Sequence, residues 1–329
     1  MKITVIGSGG WGLAMAKCMA EAGHSLSVWS HKPETTVMLR EKRCNPKLLR
    51  GIAMPEDIEF TDDLACVQGC PIVVLAIPSF AVCETAQMLS PLLEDGQVLV
   101  LLSKGFDLQH DCCLLSDTLV REVGTRCPVV ALTGPSHAEE VSRGIPTAVL
   151  AASPSREAAE LVQKTLSTDY FRVYTSPDIV SAELGGAMKN IMAVAVGISD
   201  GYGYGDNTKA MLMTRGIAEM ARLGQLLGGK ADLFRSVGRW RPDRHLCIQS
   251  LQKPPVRPSG RRWYAGGTGT AGSGCRSRGL LCHSGRSSAD RKAAAGYAHL
   301  QRHVCHSGGA SAFGQRDPDP AAACQPGGA

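Results

Sequence analysis

Five short apolar runs rich in β-branched residues punctuate the first half of the chain: Ile3 to Ile6, Leu26 to Trp29, Ile72 to Ile77, Val98 to Leu102 and Val129 to Leu132. Runs this short, with no alternation of polar positions, predict strands covered on both faces, as in a parallel sheet. Longer helix-like segments lie between them. The first, Leu13 to Ala22, is rich in Ala and Met and stops at Gly23, so the opening of the chain predicts a complete βαβ unit. Alternating strands and helices make a doubly wound α/β sheet. From Ile179 the pattern changes to two long Ala-, Met- and Leu-rich segments, Ile179 to Ile198 and Thr208 to Leu227, separated by Gly201, Gly203 and Gly205. The expected organisation is a sheet domain over residues 1–177 followed by the truncated start of an all-helical domain over residues 178–230.

Charge and composition divide the chain a second time. Of 329 residues, 35 are Lys or Arg and 30 are Asp or Glu. The resulting +5 is unevenly placed: residues 1–230 carry net −5 and residues 231–329 carry net +10. This tail has no Glu, no Met, a single Ile (Ile248), thirteen Arg and fifteen Gly. Such a composition buries too little apolar surface to offset ordering entropy, so a disordered tail is expected. It also lacks any nucleic-acid motif or aromatic platform, which argues against nucleic acid as a partner. The thirteen Cys are scattered, with no Cys-x-x-Cys pair and no zinc spacing, and are read as reduced thiols. The start reaches Gly7 too early for the apolar stretch of a signal peptide, and no apolar run is judged to approach the ~20 residues of a membrane span. A cytoplasmic location is therefore expected.

Candidate chemistry begins at Gly7-Ser8-Gly9-Gly10-Trp11-Gly12, a Gly-x-Gly-x-x-Gly motif placed between a predicted strand and a predicted helix. That context turns a weak pattern into a dinucleotide-binding expectation, because glycines admit the pyrophosphate and the helix start offers free N–H groups. An NAD-specific loop would have Asp or Glu at the end of the second strand. Here that strand ends Trp29-Ser30-His31-Lys32, and a cationic pair there tolerates a 2′-phosphate, so NADPH is expected to serve at least as readily as NADH. Lys104, in Ser103-Lys104-Gly105, ends the fourth run, where ligands sit in such sheets. Thr133-Gly134-Pro135-Ser136-His137-Ala138 is a second glycine turn leading to a helix start, read either as a lid on the cofactor or as a turn with Ser136 as its cap. Lys189 interrupts an apolar helix, which suits a proton donor to a carbonyl unless it pairs with Glu183.

The motifs Gly-Ser-Gly-Gly-Trp-Gly, Ser103-Lys104-Gly105, Gly134 to Ala138, Phe171-Arg172-Val173-Tyr174, Leu184 to Asn190 and Thr214 to Met220, in this order, closely resemble bacterial-type NAD(P)-dependent glycerol-3-phosphate dehydrogenase. The resemblance covers residues 1–230. It implies a Rossmann-type domain and an oxidoreductase that reduces dihydroxyacetone phosphate to sn-glycerol 3-phosphate with NAD(P)H, for phospholipid synthesis. The dinucleotide would lie on Gly7, Ser8, Gly9, Gly10, Trp11 and Gly12, with His31 by the adenine ribose and Ala138 near the cofactor. Lys104, Gly134 and Ser136 would contact substrate, and Lys189 would donate the proton in reduction and accept it in oxidation. No metal is required. A homodimer is compatible with this reading, although no residue speaks for one. The alternatives are an inactive dinucleotide-binding module and a related Rossmann hydroxy-acid dehydrogenase.

The resemblance stops where the charge changes. The family continues with Gly-x-Gly-Asp-Leu and then Ser-Arg-Asn-Arg, whose Arg and Asn help hold the substrate phosphate, and neither occurs in residues 231–329. Synonymous codons nevertheless let both be recovered, in order, when the tail is read one nucleotide late. Phe234 to Leu246 then yields Ser-Gly-Leu-Ser-Gly-Val-Gly-Asp-Leu-Ile-Val-Thr-Cys, and Leu251 to Arg257 yields Ser-Arg-Asn-Arg-Arg-Phe-Gly. A frameshift near residues 230–233 is inferred, one that removes the phosphate site and leaves the long helices with uncovered apolar faces.

Overall fold

The computed structural model of the chain describes residues 1–230. Strand β1 (Lys2–Ile6), helix α1 (Gly10–Glu21) and β2 (Ser25–Trp29) form the expected βαβ unit. Then come α2 (Pro33–Lys42), β3 (Glu59–Thr61), β4 (Ile72–Leu75), α3 (Val82–Leu89) and β5 (Val98–Leu101). A hairpin of β6 (Phe106–Asp107) and β7 (Cys113–Leu114) leads to α4 (Leu115–Val123), β8 (Val129–Thr133) and a single turn, α5 (Ala138–Val141). Strand β9 (Thr147–Ala152), α6 (Arg156–Leu166) and β10 (Phe171–Ser176) complete the sheet layer, and α7 (Ile179–Gly201) and α8 (Asp206–Leu226) follow.

The sheet has eight strands in the order β10-β9-β8-β5-β4-β1-β2-β3, parallel throughout except for the antiparallel pair of β8 with β9. All five apolar runs are strands, and the central ones are buried on both faces for the reason their sequences suggest. Side chains alternate across the sheet: Ile3, Val5, Val74, Val100 and Val130 face α1 and α6, whereas Ile6, Val73, Leu75, Leu99 and Leu101 face α3 and α4. Each such side chain contributes roughly 1.5–3 kcal/mol on full burial, so the continuous apolar runs at the centre dominate the core.

Three strands of this sheet lie outside those runs. Strand β10 alternates buried and exposed at Phe171 to Tyr174, as a sheet-edge strand does, so a search for unbroken apolar runs passes over it. Strand β9 is half Ala and β3 has only three residues, and both are held by their neighbours rather than by propensity. Helix α7 corrects the expectation that no apolar run approaches a membrane span: its 23 residues are long and apolar enough by length and composition. The charge at Lys189 hid this. Leu184 and Met188 of α7 are nonetheless buried against Met220 of α8, as in the core of a helical layer. The expected tail disorder, and the recovered motifs, lie outside the described residues.

Candidate functional site

The carboxyl ends of β1, β2, β4, β5 and β8 share one edge of the sheet, and every candidate residue except Lys189 follows one of them. The order of connection reverses between β1 and β4, which is where doubly wound sheets bind ligands. The glycine motif closes over this point. Gly7 has φ +116°, and a Cβ on it would stand 2.5 Å from the Ala76 carbonyl oxygen just past β4. A Cβ on Gly12 would overlap the Gly7 carbonyl oxygen, so α1 can start this close to the strand only with glycine there. The α1 N-cap, Gly9, makes no side-chain cap bond, so the N–H groups of the first turn are free for an anion.

Other elements complete the cradle. Ser8 Oγ donates to Ser30 Oγ at 2.9 Å and ties the loop to the end of β2, while Trp11 packs on the core. His31 and Lys32 stand exposed beyond Ser30, with the His31 ring 6.4 Å from the Trp29 ring. Ala138, at the start of α5, lies beside the loop: a Cβ built on Gly10 would be 3.9 Å from the Ala138 Cβ. Ser136 is no helix cap. The cap position of α5 is His137, without a side-chain bond, and Ser136 Oγ instead reaches back to the Gly134 carbonyl at 3.4 Å.

The two lysines converge. Lys104 follows β5 and is half-buried, and Lys189 approaches it from α7, near enough for its charge to act on the Lys104 amine. Burial first, and then the neighbouring Lys189 charge, pulls the Lys104 ammonium down to about 7. Among the described residues neither lysine has an ion pair with a carboxylate. Like charges brought together without an acid suit an anionic ligand. The approach depends on Gly186, where a Cβ would stand 2.9 Å from Thr133 Oγ1 and 3.7 Å from Lys104 Cγ.

Lys189 itself is exposed rather than buried in the helix. Nor does it pair with Glu183. Glu183 is buried and accepts from the Ser116 N–H at 3.2 Å and from the Ser116 hydroxyl, anchoring α7 to the first turn of α4. Burial pushes its carboxyl up from 4.5 to about 7. The fold therefore holds this proton more tightly than the unfolded chain does, so stability falls as pH rises from about 4.5 to 7. Glu183→Gln is expected to flatten that decline in urea-melt midpoints. Glu183→Ala, which strands the Ser116 N–H, is expected to cost about 1–3 kcal/mol. A pH-independent wild-type midpoint would sink this account.

Residues 2–159 match the NAD-dependent glycerol-3-phosphate dehydrogenase N-terminus, and residues 178–238 match the C-terminus of the same family. Over 233 residues the chain is 49% identical to glycerol-3-phosphate dehydrogenase [NAD(P)+] of Moorella thermoacetica, covering 70% of this chain and 69% of that one. It belongs to the NAD-dependent glycerol-3-phosphate dehydrogenase family. The Geobacillus thermodenitrificans enzyme of the same name is 47% identical over 236 residues, covering 70% of this chain and 68% of its own. The crystal structure of glycerol-3-phosphate dehydrogenase from Coxiella burnetii superposes with a TM-score of 0.66 at 33% identity, over 70% of each chain. Within this dehydrogenase family the match to the C-terminal model ends at residue 238, close to the place where charge and composition change.

Sequence reading missed Ala76 and Ser116, and it took Thr133 only as the start of the second glycine turn and not as the neighbour of Gly186; all three matter through contacts between distant strands and helices. Nothing local marks them. Gly186 was readable in principle, as a glycine inside a helix facing a lysine.

Proposed function

We propose that this chain is built to reduce dihydroxyacetone phosphate to sn-glycerol 3-phosphate with NAD(P)H, in the cytoplasm, for phospholipid synthesis. The convergence of Lys104 and Lys189 at the sheet edge that also carries the glycine loop, with no carboxylate paired to either among the described residues, is the observation that supports it most strongly. The cradle fits a dinucleotide: Gly7 and Gly12 clear the space, Gly9 leaves the α1 N–H groups free, and Ala138 flanks the loop. When bound, the cofactor supplies the hydride. Lys189 holds the proton for the carbonyl oxygen, and Lys104 orients the anionic substrate with the backbone at Gly134 and the hydroxyl of Ser136. Both cations polarise the carbonyl.

The cofactor-preference reading rests on His31 and Lys32, exposed at the end of β2 where an NAD-specific site would have an acid. Michaelis constants are expected to be at least as low for NADPH as for NADH, and His31→Asp is expected to favour NADH. A strong NADH preference in the parent chain would defeat this reading. Exposed Ile198, Met211 and Leu226 on α7 and α8 offer apolar surface for a homodimer, which sedimentation would read as twice the chain mass. The decisive assay for the function is oxidation of NAD(P)H on adding dihydroxyacetone phosphate. Turnover with a hydroxy-acid precursor instead would favour the related dehydrogenase, and cofactor binding without turnover would favour the inactive module.

A further inference from the structure

Cys83 in the first turn of α3, Asp107 on β6 and His110 in the β6–β7 turn bring a thiol, a carboxylate and an imidazole together, with one ligand atom from each within 4.8 Å of the others. Sequence spacing conceals the cluster, because the thiol comes from a different element than the other two. Asp107 is buried, and its carboxylate is held rigidly: Oδ1 accepts from the Gln109 N–H at 3.0 Å, and Oδ2 accepts from the Thr118 hydroxyl at 2.9 Å. His110 Nδ1 stands 2.9 Å from the same Oδ2, while its side chain is exposed to solvent. One side of the cluster is thus fixed by hydrogen bonds and the other opens to solvent.

A guanidinium shares this space. Arg121 reaches Asp107 Oδ2 at 3.2 Å and Cys83 Sγ at 3.6 Å, and its Nε donates to Glu122 Oε1 at 2.8 Å. Four anionic or thiol groups, Asp107, Glu122, Cys83 and, at 3.8 Å, the Cys113 thiol, therefore surround one positive charge that Glu122 anchors through its Nε.

We infer that Cys83, Asp107 and His110 form a binding site for a borderline-soft divalent cation, zinc by its ligand chemistry, for which the Arg121 guanidinium competes. Sulfur, nitrogen and carboxylate oxygen are the donors zinc takes, at about 2.0–2.3 Å, whereas magnesium and calcium take oxygen alone. Three protein donors leave the fourth tetrahedral position to water on the open side. Charge balances as well. A thiolate and a carboxylate neutralise the dication, the thiol proton goes to solvent, and Arg121 withdraws to Glu122, which already holds it. The Thr118 hydroxyl and the Gln109 N–H then serve as the outer hydrogen bonds that orient the carboxylate. The inference does not depend on the reading of the chain's activity.

The test uses the full 329-residue chain under reducing, chelator-free conditions. Titration with Co2+ is expected to give a thiolate-to-cobalt charge-transfer band that Cys83→Ser diminishes by one site's worth. Competition between Zn2+ and a chromophoric chelator is expected to show His110→Ala weakening one site at least tenfold. Arg121→Gln is expected to tighten the same site at least tenfold. His110 is exposed, so its replacement leaves the fold intact even where the buried Cys83 variant does not. Unchanged zinc affinity in His110→Ala and Arg121→Gln, or an unchanged cobalt spectrum in a folded Cys83→Ser chain, overturns the proposal.

Discussion

A chain whose codons after residue 230 are read one nucleotide late is expected to exceed the 329-residue chain in kcat/KM for dihydroxyacetone phosphate by roughly 10²–10⁴-fold. The reason lies in what residues 1–230 contain and what they lack. They carry the glycine loop and the two lysines proposed to act on the carbonyl, but the family's Ser-Arg-Asn-Arg segment is absent from residues 231–329 as they stand. Hydrogen bonds to a charged group contribute about 1.5–3 kcal/mol each, so two restored phosphate contacts correspond to roughly the stated factor. Binding energy taken from the phosphate, remote from the reacting carbon, lowers the barrier as well as KM. Both constants are therefore expected to improve, while the Kd for NADPH, measured by fluorescence, stays near that of the present chain. Equal kcat/KM in the two chains would show that the present tail supplies the grip, and would end the frameshift account. The nucleotide sequence around codon 230 tests the same idea independently of any activity.

How much of this was legible in the sequence follows from how local each determinant is. The central strands announce themselves because parallel strands buried on both faces leave no polar position to interrupt the run from Ile72 or from Val98. Strand β10, at the sheet edge, exposes every second residue from Arg172 to Tyr174 and gives only a faint signal. Gly7 to Gly12 could be placed correctly since a strand, a tight turn and a helix start are all short-range features. The position of Lys104 at a strand end was equally short-range. Its partner was not: the meeting of Lys104 with Lys189 depends on how α7 crosses β8, with Gly186 against Thr133, and no spacing along the chain records that crossing. Glu183 shows the converse. Its place in an apolar helix suggested a partner for Lys189, yet the helix turns it the other way, onto the start of α4.

Replacing Lys189 by methionine is expected to lower kcat for reduction by roughly 10²–10⁴-fold, the usual contribution of a positioned general acid, with the Kd for NADPH unchanged. The frame-restored chain is the one in which this loss is easiest to follow. Methionine keeps the length and apolar stem of the side chain, so α7 retains its packing through Leu184 and Met188. The pH profile then separates the two lysines. Lys104, lowered to about 7 by burial and by Lys189, carries its positive charge only below that pH. Because kcat/KM reports groups of the free enzyme, reduction is expected to be level below about pH 7 and to fall above it. Removing Lys189 takes away one of the two causes, so the falling limb should move to higher pH, while burial still keeps it short of the ordinary 10.5. The fold binds this proton less tightly than the unfolded chain does, so the Lys104 contribution to stability rises with pH from about 7 to 10.5. In Lys189→Met that rise should start later. A kcat within tenfold of the parent would remove Lys189 from the role of proton donor. A limb that stays in place in Lys189→Met, and persists in Lys104→Gln, would show that a different group titrates and that the two amines do not act as a pair.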